Sequence, residues 1–335
     1  MKPTRFLAGA LTLAVVASAV PSPASAEVRE VRLARQYGLG YLPLLVLEDQ
    51  KLIERRAAAA GLGEVKVTWA VLGGGAASND ALLSGSVDYV ATGVAPLVLL
   101  WAKSAGKVKG VAALGSTPVI LNTVNPAVRT VADFTAKDRI ALPSVKVSIQ
   151  AVILQIASER AFGQGNHGRL DPLTVSLKHP DAAAALLSGR SEITGHVASP
   201  PFVAQELADK RVHTVLSSYD LLGGPHSFNV LSSTQAFADA NPRTFAVVYD
   251  ALAEAVAWIQ KNPRAAAETY LRVSGSKEPI DSVLAQVQDP LVKYTTTPER
   301  TGLIAAFMAR IGTAPAQPKD WRDLFFPTVH RQPGS

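Results

Sequence analysis

The chain has 335 residues, 48% of them hydrophobic and 18% charged, which excludes a disordered polymer and is more than one typical hydrophobic core organises. Cysteine is absent, so disulfides, thiolate nucleophiles and cysteine–zinc sites are excluded. The net charge of +6 comes from scattered residues, with no basic run beyond Arg55-Arg56 or Lys210-Arg211, so the clustered footprint of a nucleic-acid partner is missing.

Lys2 and Arg5 precede an apolar stretch, Phe6 to Val20, and Ala24-Ser25-Ala26 follows. This is the pattern of a signal peptide over residues 1–26, cut before Glu27, and the apolar run is short for a membrane span. With no cysteine at the cut there is no lipidation site, so a soluble protein exported to a Gram-negative periplasm is expected, most simply a monomer.

Residues 29–35 alternate polar and apolar, as a strand does. The turn Gln36–Pro43 leads into a helix over Leu44–Ala60, and Val65–Leu72 is a second strand. Gly73–Gly75, a short helix over Ala77–Ser84, a helix over Pro96–Ala105 and a strand over Val108–Leu114 complete a first lobe of parallel sheet. A second lobe alternates strands and helices from Arg139–Leu142 to Val212–Leu216, with a flexible loop at 163–169. Segments 117–124 and 227–232 are extended and are expected to cross between the lobes as a two-strand hinge. The remainder is helical: 241–262, 263–273, 279–288 and 298–311, with Trp321, Phe325 and Phe326 as packing anchors. The expected division is 27–118 for the first lobe, 119–228 for the second, and 229–335 returning to the first.

Two stretches say nearly the same thing. Residues 82–96 read LLSGSVDYVATGVAP and residues 186–200 read LLSGRSEITGHVASP. Each has a glycine suited to ending a helix (Gly85, Gly189), an acid three residues on (Asp88, Glu192), and a proline eleven residues on (Pro96, Pro200) suited to opening the next helix. Each therefore predicts helix–strand–turn–helix, the step of an α/β sheet whose strand ends bind ligands.

With the Tyr37–Pro43 turn, Gly73-Gly74-Gly75, the Pro143-Ser144 turn and the segment ANPRTFAVVYDALAEAVAWIQKNP, these stretches resemble the nitrate/sulfonate/taurine branch of ABC-transporter substrate-binding proteins. The resemblance covers nearly the whole exported chain. It implies a type II periplasmic-binding-protein fold, a solute held between two α/β lobes, and an inner-membrane ABC permease as partner, with no cofactor. The family's contacts carry over onto Gly38, Leu39 and Tyr41, Gly74 and Gly75, Thr92, Gly93 and Val94 in the first lobe, and onto Lys146, Val147, Ser148 and His196 in the second. The family often has an aromatic residue where this chain has His196.

Physical chemistry supports the same turns. Helix N-termini carry unpaired N–H groups and about half a positive charge, so several converging would hold an anion. Thr92 and Ser148 are either helix caps or ligand contacts, and His196 is either a cleft contact or a core residue. The turns are apolar, which suits an organic anion such as an alkanesulfonate or a small carboxylic acid. No HExxH, GxSxG or P-loop motif occurs, and the six histidines lack metal-ligand spacing. Relatives of the fold that make a thiamin pyrimidine use a cysteine-rich motif this chain lacks, so no enzyme is expected. A binding or sensor protein without its own transporter is the alternative.

Overall fold

A computed structural model describes residues 27–335; the expected signal peptide lies outside the described residues. Strand β1 (Glu30–Arg35) buries Val31 and Leu33, as the alternation predicts. The helix expected over Leu44–Ala60 is two helices, α1 (Leu42–Gln50) and α2 (Leu52–Ala59). They part at Lys51, which turns left-handed at φ 49°. The run Leu42–Leu47 is apolar on every side and buried on every side, and the turn lets Leu52 and Ile53 bury as well. Next come β2 (Lys66–Val71), α3 (Gly75–Leu83), β3 (Tyr89–Gly93), α4 (Val94–Lys103) and β4 (Val108–Ser116).

The second lobe holds β5 (Ile120–Thr123), β6 (Ile140–Leu142), α5 (Ile149–Phe162), β7 (Thr174–Ser176), α6 (His179–Ser188), β8 (Gly195–Ala198), α7 (Phe202–Leu207), β9 (His213–Ser217) and α8 (Ser218–Leu222). The loop at 163–169 runs into a 3-10 turn over His167–Leu173. The chain then returns as β10 (Ser227–Thr234), followed by α9 (Gln235–Ala240), α10 (Pro242–Lys261), α11 (Pro263–Ser274), α12 (Ile280–Val287) and α13 (Thr301–Arg310). Helices α10 and α11 pack on α1, and α13 packs on α4 and reaches α5. Phe325 is buried against Gly110, and the Phe326 amide donates to the Gly110 carbonyl at 2.8 Å.

The two sheets have the same plan. One runs β2-β1-β3-β10-β4, the other β7-β6-β8-β5-β9. The strands of the two similar stretches, β3 and β8, are the middle strand of each. Neither sheet is purely parallel: β10 runs antiparallel to β3 and β4, and β5 antiparallel to β8 and β9. Each of these strands arrives from the opposite lobe and so enters its sheet from the other end. The expected crossing segments are corrected accordingly. Strand β5 lies wholly in one sheet and β10 wholly in the other, and the chain passes between sheets at 117–119 and 223–226.

Those two crossings are bonded to each other. The Val119 amide donates to the Ser218 hydroxyl at 2.8 Å, and the same oxygen lies 2.8 Å from Nε2 of His226. Beside them, the Glu299 carboxylate accepts from the Ser116 hydroxyl at 2.5 Å and pairs with Lys293, while its carbonyl accepts from the Ser227 amide at 2.8 Å and its amide donates to the Ser227 hydroxyl at 2.9 Å.

The repeated glycines behave as their spacing predicts, and the prolines do not. Gly85 and Gly189 are left-handed at φ 69° and 63° after α3 and α6. Asp88 faces Arg32 within β1, and Glu192 faces Arg139 just before β6. Pro96, however, is the third residue of α4, and Pro200 precedes α7 by two residues. Both still sit where a helix has no internal acceptor for an N–H, so the missing donor costs nothing.

Candidate functional site

The cleft between the lobes is built from the strand-to-helix turns. In the first lobe these follow β1, β2 and β3; in the second they follow β6 and β8. The structure has the lobes in contact along most of this line. The Leu39 amide donates to the Pro200 carbonyl at 2.9 Å. Gly38 beside it has φ +113°, and a Cβ there would lie 2.9 Å from that carbonyl. The Ala76 amide donates to the Ser144 hydroxyl at 3.3 Å, while a Cβ on Gly74 would collide with Pro143 and Ser144. A Cβ on Gly93 would lie 2.7 Å from the Ile149 side chain. Glycine is needed here because two backbones approach this closely.

The N-terminal ends of α3, α4, α5 and the short α7 therefore all meet at one interface. Val94 and Val147 line it with apolar surface, Val94 fully buried. Lys146 is exposed at its edge with φ +63°. Ser148 caps α5: its hydroxyl accepts from the Ala151 amide at 3.2 Å and donates to the Ser144 carbonyl at 2.9 Å. Thr92 is buried with its hydroxyl turned to the Gly93 carbonyl at 3.2 Å. Tyr41 is buried beside Asn229 of β10, and burial pushes its phenol pKa up.

His196 has its polar atoms engaged by neighbouring side chains. It is 0% exposed and belongs to a buried chain of polar groups behind the cleft wall. The Gln150 amide lies 3.1 Å from Nε2 of His179, and Nδ1 of His179 lies 2.8 Å from Nε2 of His196. Nδ1 of His196 bonds the Glu206 carboxyl, whose other oxygen accepts from Asn122 at 2.9 Å. One tautomer set satisfies every member: Gln150 donates to His179, His179 to His196, and His196 to Glu206. Burial, reinforced by His196, holds the His179 pKa well below the usual histidine range, which keeps that ring neutral. Its face stacks on Phe202 at 5.4 Å between centroids.

At one end the lobes part. A cavity of about 420 Å³ opens there between Arg35, Gln36, Tyr37 and Gly38 of the first lobe, Phe202 and Gln205 of the second, and Tyr270 with Ser274–Ser276 of α11 and its exit. A bond across its rim, Gln205 Nε2 to Glu278 Oε1 at 3.0 Å, links α7 to the segment after α11. A second hollow, about 410 Å³, lies between Gly73–Ala77 and the 143–145 and 176–178 segments. Arg310 of α13 and Glu159 of α5 form a further cross-lobe pair at 2.9 Å. Of the residues expected at the site, Gly38 alone borders the larger cavity. Arg35, Phe202, Gln205 and Tyr270 are additions. Phe202 had a local signal, since it lies two residues beyond the second repeated stretch; the others are joined only by the tertiary fold.

Among solved structures, the alkanesulfonate-binding protein SsuA of Xanthomonas axonopodis pv. citri, bound to MOPS, superposes with a TM-score of 0.69 at 20% identity, covering 87% of this chain and 96% of that one. The periplasmic aliphatic sulphonate binding protein SsuA of Escherichia coli gives 0.65 at 19% identity, covering 90% and 92%. The periplasmic nitrate-binding protein NrtA of Synechocystis PCC 6803 gives 0.67 at 15% identity, covering 87% and 83%. These similarities show the periplasmic-binding-protein fold expected from the sequence. No curated protein matches the chain. Residues 24–273, most of its length, match the model of the NMT1-like family, and the chain belongs to that family.

Proposed function

We propose that this protein is the solute-binding component of an ABC importer, capturing a small organic anion between its two lobes and delivering it to a permease in the inner membrane. The observation that carries this reading is the meeting of four helix N-termini, two from each lobe, at one interface. Their partial positive charges make the cleft favourable to an anion. Apolar neighbours such as Val94, Val147 and Ile149 favour an organic anion over a bare inorganic one. The turns proposed as the closing faces are Gly38–Tyr41, Gly74-Gly75, Thr92–Val94 and Lys146–Ser148. Binding shifts the population toward the closed arrangement, in which the lobes touch. The protein acts as an exported monomer in the periplasm, without catalysis.

Calorimetry against nitrate, taurine, alkanesulfonates and aromatic acids tests the ligand class; tight binding of nitrate alone defeats the organic-anion reading. X-ray scattering with and without the bound solute should show compaction, and identical profiles count against closure. A sensor or binding role without a transporter is distinguished by the absence of permease and ATPase genes beside this one.

A further inference from the structure

We propose that the solute seats at the Arg35–Tyr37–Phe202–Tyr270 end of the cleft, and that it is a ring-bearing organic monoanion, a carboxylate or a sulfonate. This rests on the solute-binding reading above and narrows it. Elsewhere along the interface the lobes close on each other at Leu39 and the Pro200 carbonyl, at Gly74 and the Pro143 carbonyl and Ser144 hydroxyl, and at Gly93 and the Ile149 side chain, which leaves little space for a guest. At this end the lobes part around a cavity of about 420 Å³, inside the range of roughly 300–1,000 Å³ typical of small-molecule sites. A bare oxyanion would leave most of that volume to water.

The lining explains both halves of the ligand. Three aromatic residues from three separate parts of the chain border the cavity: Tyr37, Phe202 and Tyr270. Phe202 is held by its stack on His179, and Tyr270 is anchored in α11, so the walls are preorganised for a flat apolar body. Arg35 supplies the charge. It is only 7% exposed, and its Nε and Nη2 both go to a single oxygen of Glu48, at 3.3 and 3.2 Å. Its Nη1 has no protein hydrogen-bond partner among the described residues. A guanidinium with an unused edge in a mostly buried wall is suited to a carboxylate or sulfonate. Lys178, which borders the second hollow, lies 5.9 Å from the Tyr37 ring centre and is paired with Asp181. Glu48, bonded to Arg35, and Glu278, bonded to Gln205, place negative charge beside this lining, so a dianion is disfavoured relative to a monoanion.

Calorimetry on the exported chain tests this with benzenesulfonate, benzoate, benzene-1,3-disulfonate, ethanesulfonate and nitrate as probes. Benzenesulfonate or benzoate should bind at least tenfold more tightly than the other three. Arg35→Gln and Phe202→Leu should each weaken that binding tenfold or more. Tyr37→Leu, at a half-buried position, keeps the test open if either of those variants fails to fold. Ring-anion binding that ignores the variants overturns the seat, and tighter binding of nitrate, ethanesulfonate or the disulfonate overturns the class. Both results leave the solute-binding reading standing. If no probe binds, the inference falls; the broader reading falls with it only if scattering is also unmoved by taurine and the alkanesulfonates.

Discussion

The Leu39 amide donates to the Pro200 carbonyl across the cleft at 2.9 Å, joining the first turn of one lobe to the end of the repeated stretch in the other. The bond is possible because Gly38, at φ +113°, lets the chain come within reach without a side chain in the way. Gly38→Ala should cost about 1–3 kcal/mol in the closed arrangement alone, from backbone strain and the clash at Pro200. Solute affinity should then fall roughly 5- to 150-fold. Calorimetry with a bound probe and scattering check this; unchanged affinity with normal compaction would contradict it.

The acids of the two repeated stretches should differ in energy although they match in sequence. Asp88 is 9% exposed and accepts from the Arg32 amide at 2.8 Å and from its guanidinium at 2.6 and 3.1 Å. Glu192 has a side chain 72% exposed and sits 3.9 Å from Arg139. Asp88→Ala should cost about 2–4 kcal/mol, because it strips a mostly buried acceptor from charged and backbone donors. Glu192→Ala should cost less than about 0.5 kcal/mol. Urea unfolding of both variants decides it, and equal losses would refute the contrast.

Stability should fall on acidification through the histidine range. His179 is neutral in the fold because burial lowers its pKa below the ordinary 6.5. The unfolded chain therefore binds more protons below that pH, and stability present above about pH 6.5 is lost as pH falls toward the folded value. The slope from one such group cannot exceed about 1.4 kcal/mol per pH unit. His226, also pushed down mainly by burial, contributes in the same window. Melting temperature from pH 7.5 to 5 should drop less steeply in His179→Gln than in the natural chain; parallel curves would rule out this group.

Ser148 should report which of its two expected roles matters. As the N-cap of α5, its loss in Ser148→Ala should cost about 1 kcal/mol. Ser148→Thr should restore most of it. Thermal unfolding beside calorimetry separates the cases, since a pure ligand contact would lose affinity with no change in melting.

The fold was legible where punctuation is local. Gly85 and Gly189 end helices by their own φ preference, and the alternation around β1 writes its buried face directly. Lys51 was not legible, because a left-handed lysine has no sequence mark and its turn is set by which leucines can be buried. The reversed directions of β5 and β10 follow from the chain changing lobes, which no local pattern encodes. His196 shows the same boundary within the site. Its partners stand ten and seventeen residues away on other elements, a spacing that matches no motif, yet they make it part of the interior. The cavity joins Arg35, Phe202 and Tyr270, which are far apart in sequence and meet only through folding.

Glu299 has the widest mechanical consequence. Its carboxylate holds Ser116 just before one crossing and its backbone holds Ser227 just after the other, so one residue ties both straps. The lobes are thereby left with one pivot, fixed near the end of the chain rather than in the cleft, and swinging is favoured over shearing. Changes at this remote carboxylate would loosen the strap at Ser116 alone, keeping the backbone hold on Ser227 and leaving every surface that grips the solute intact.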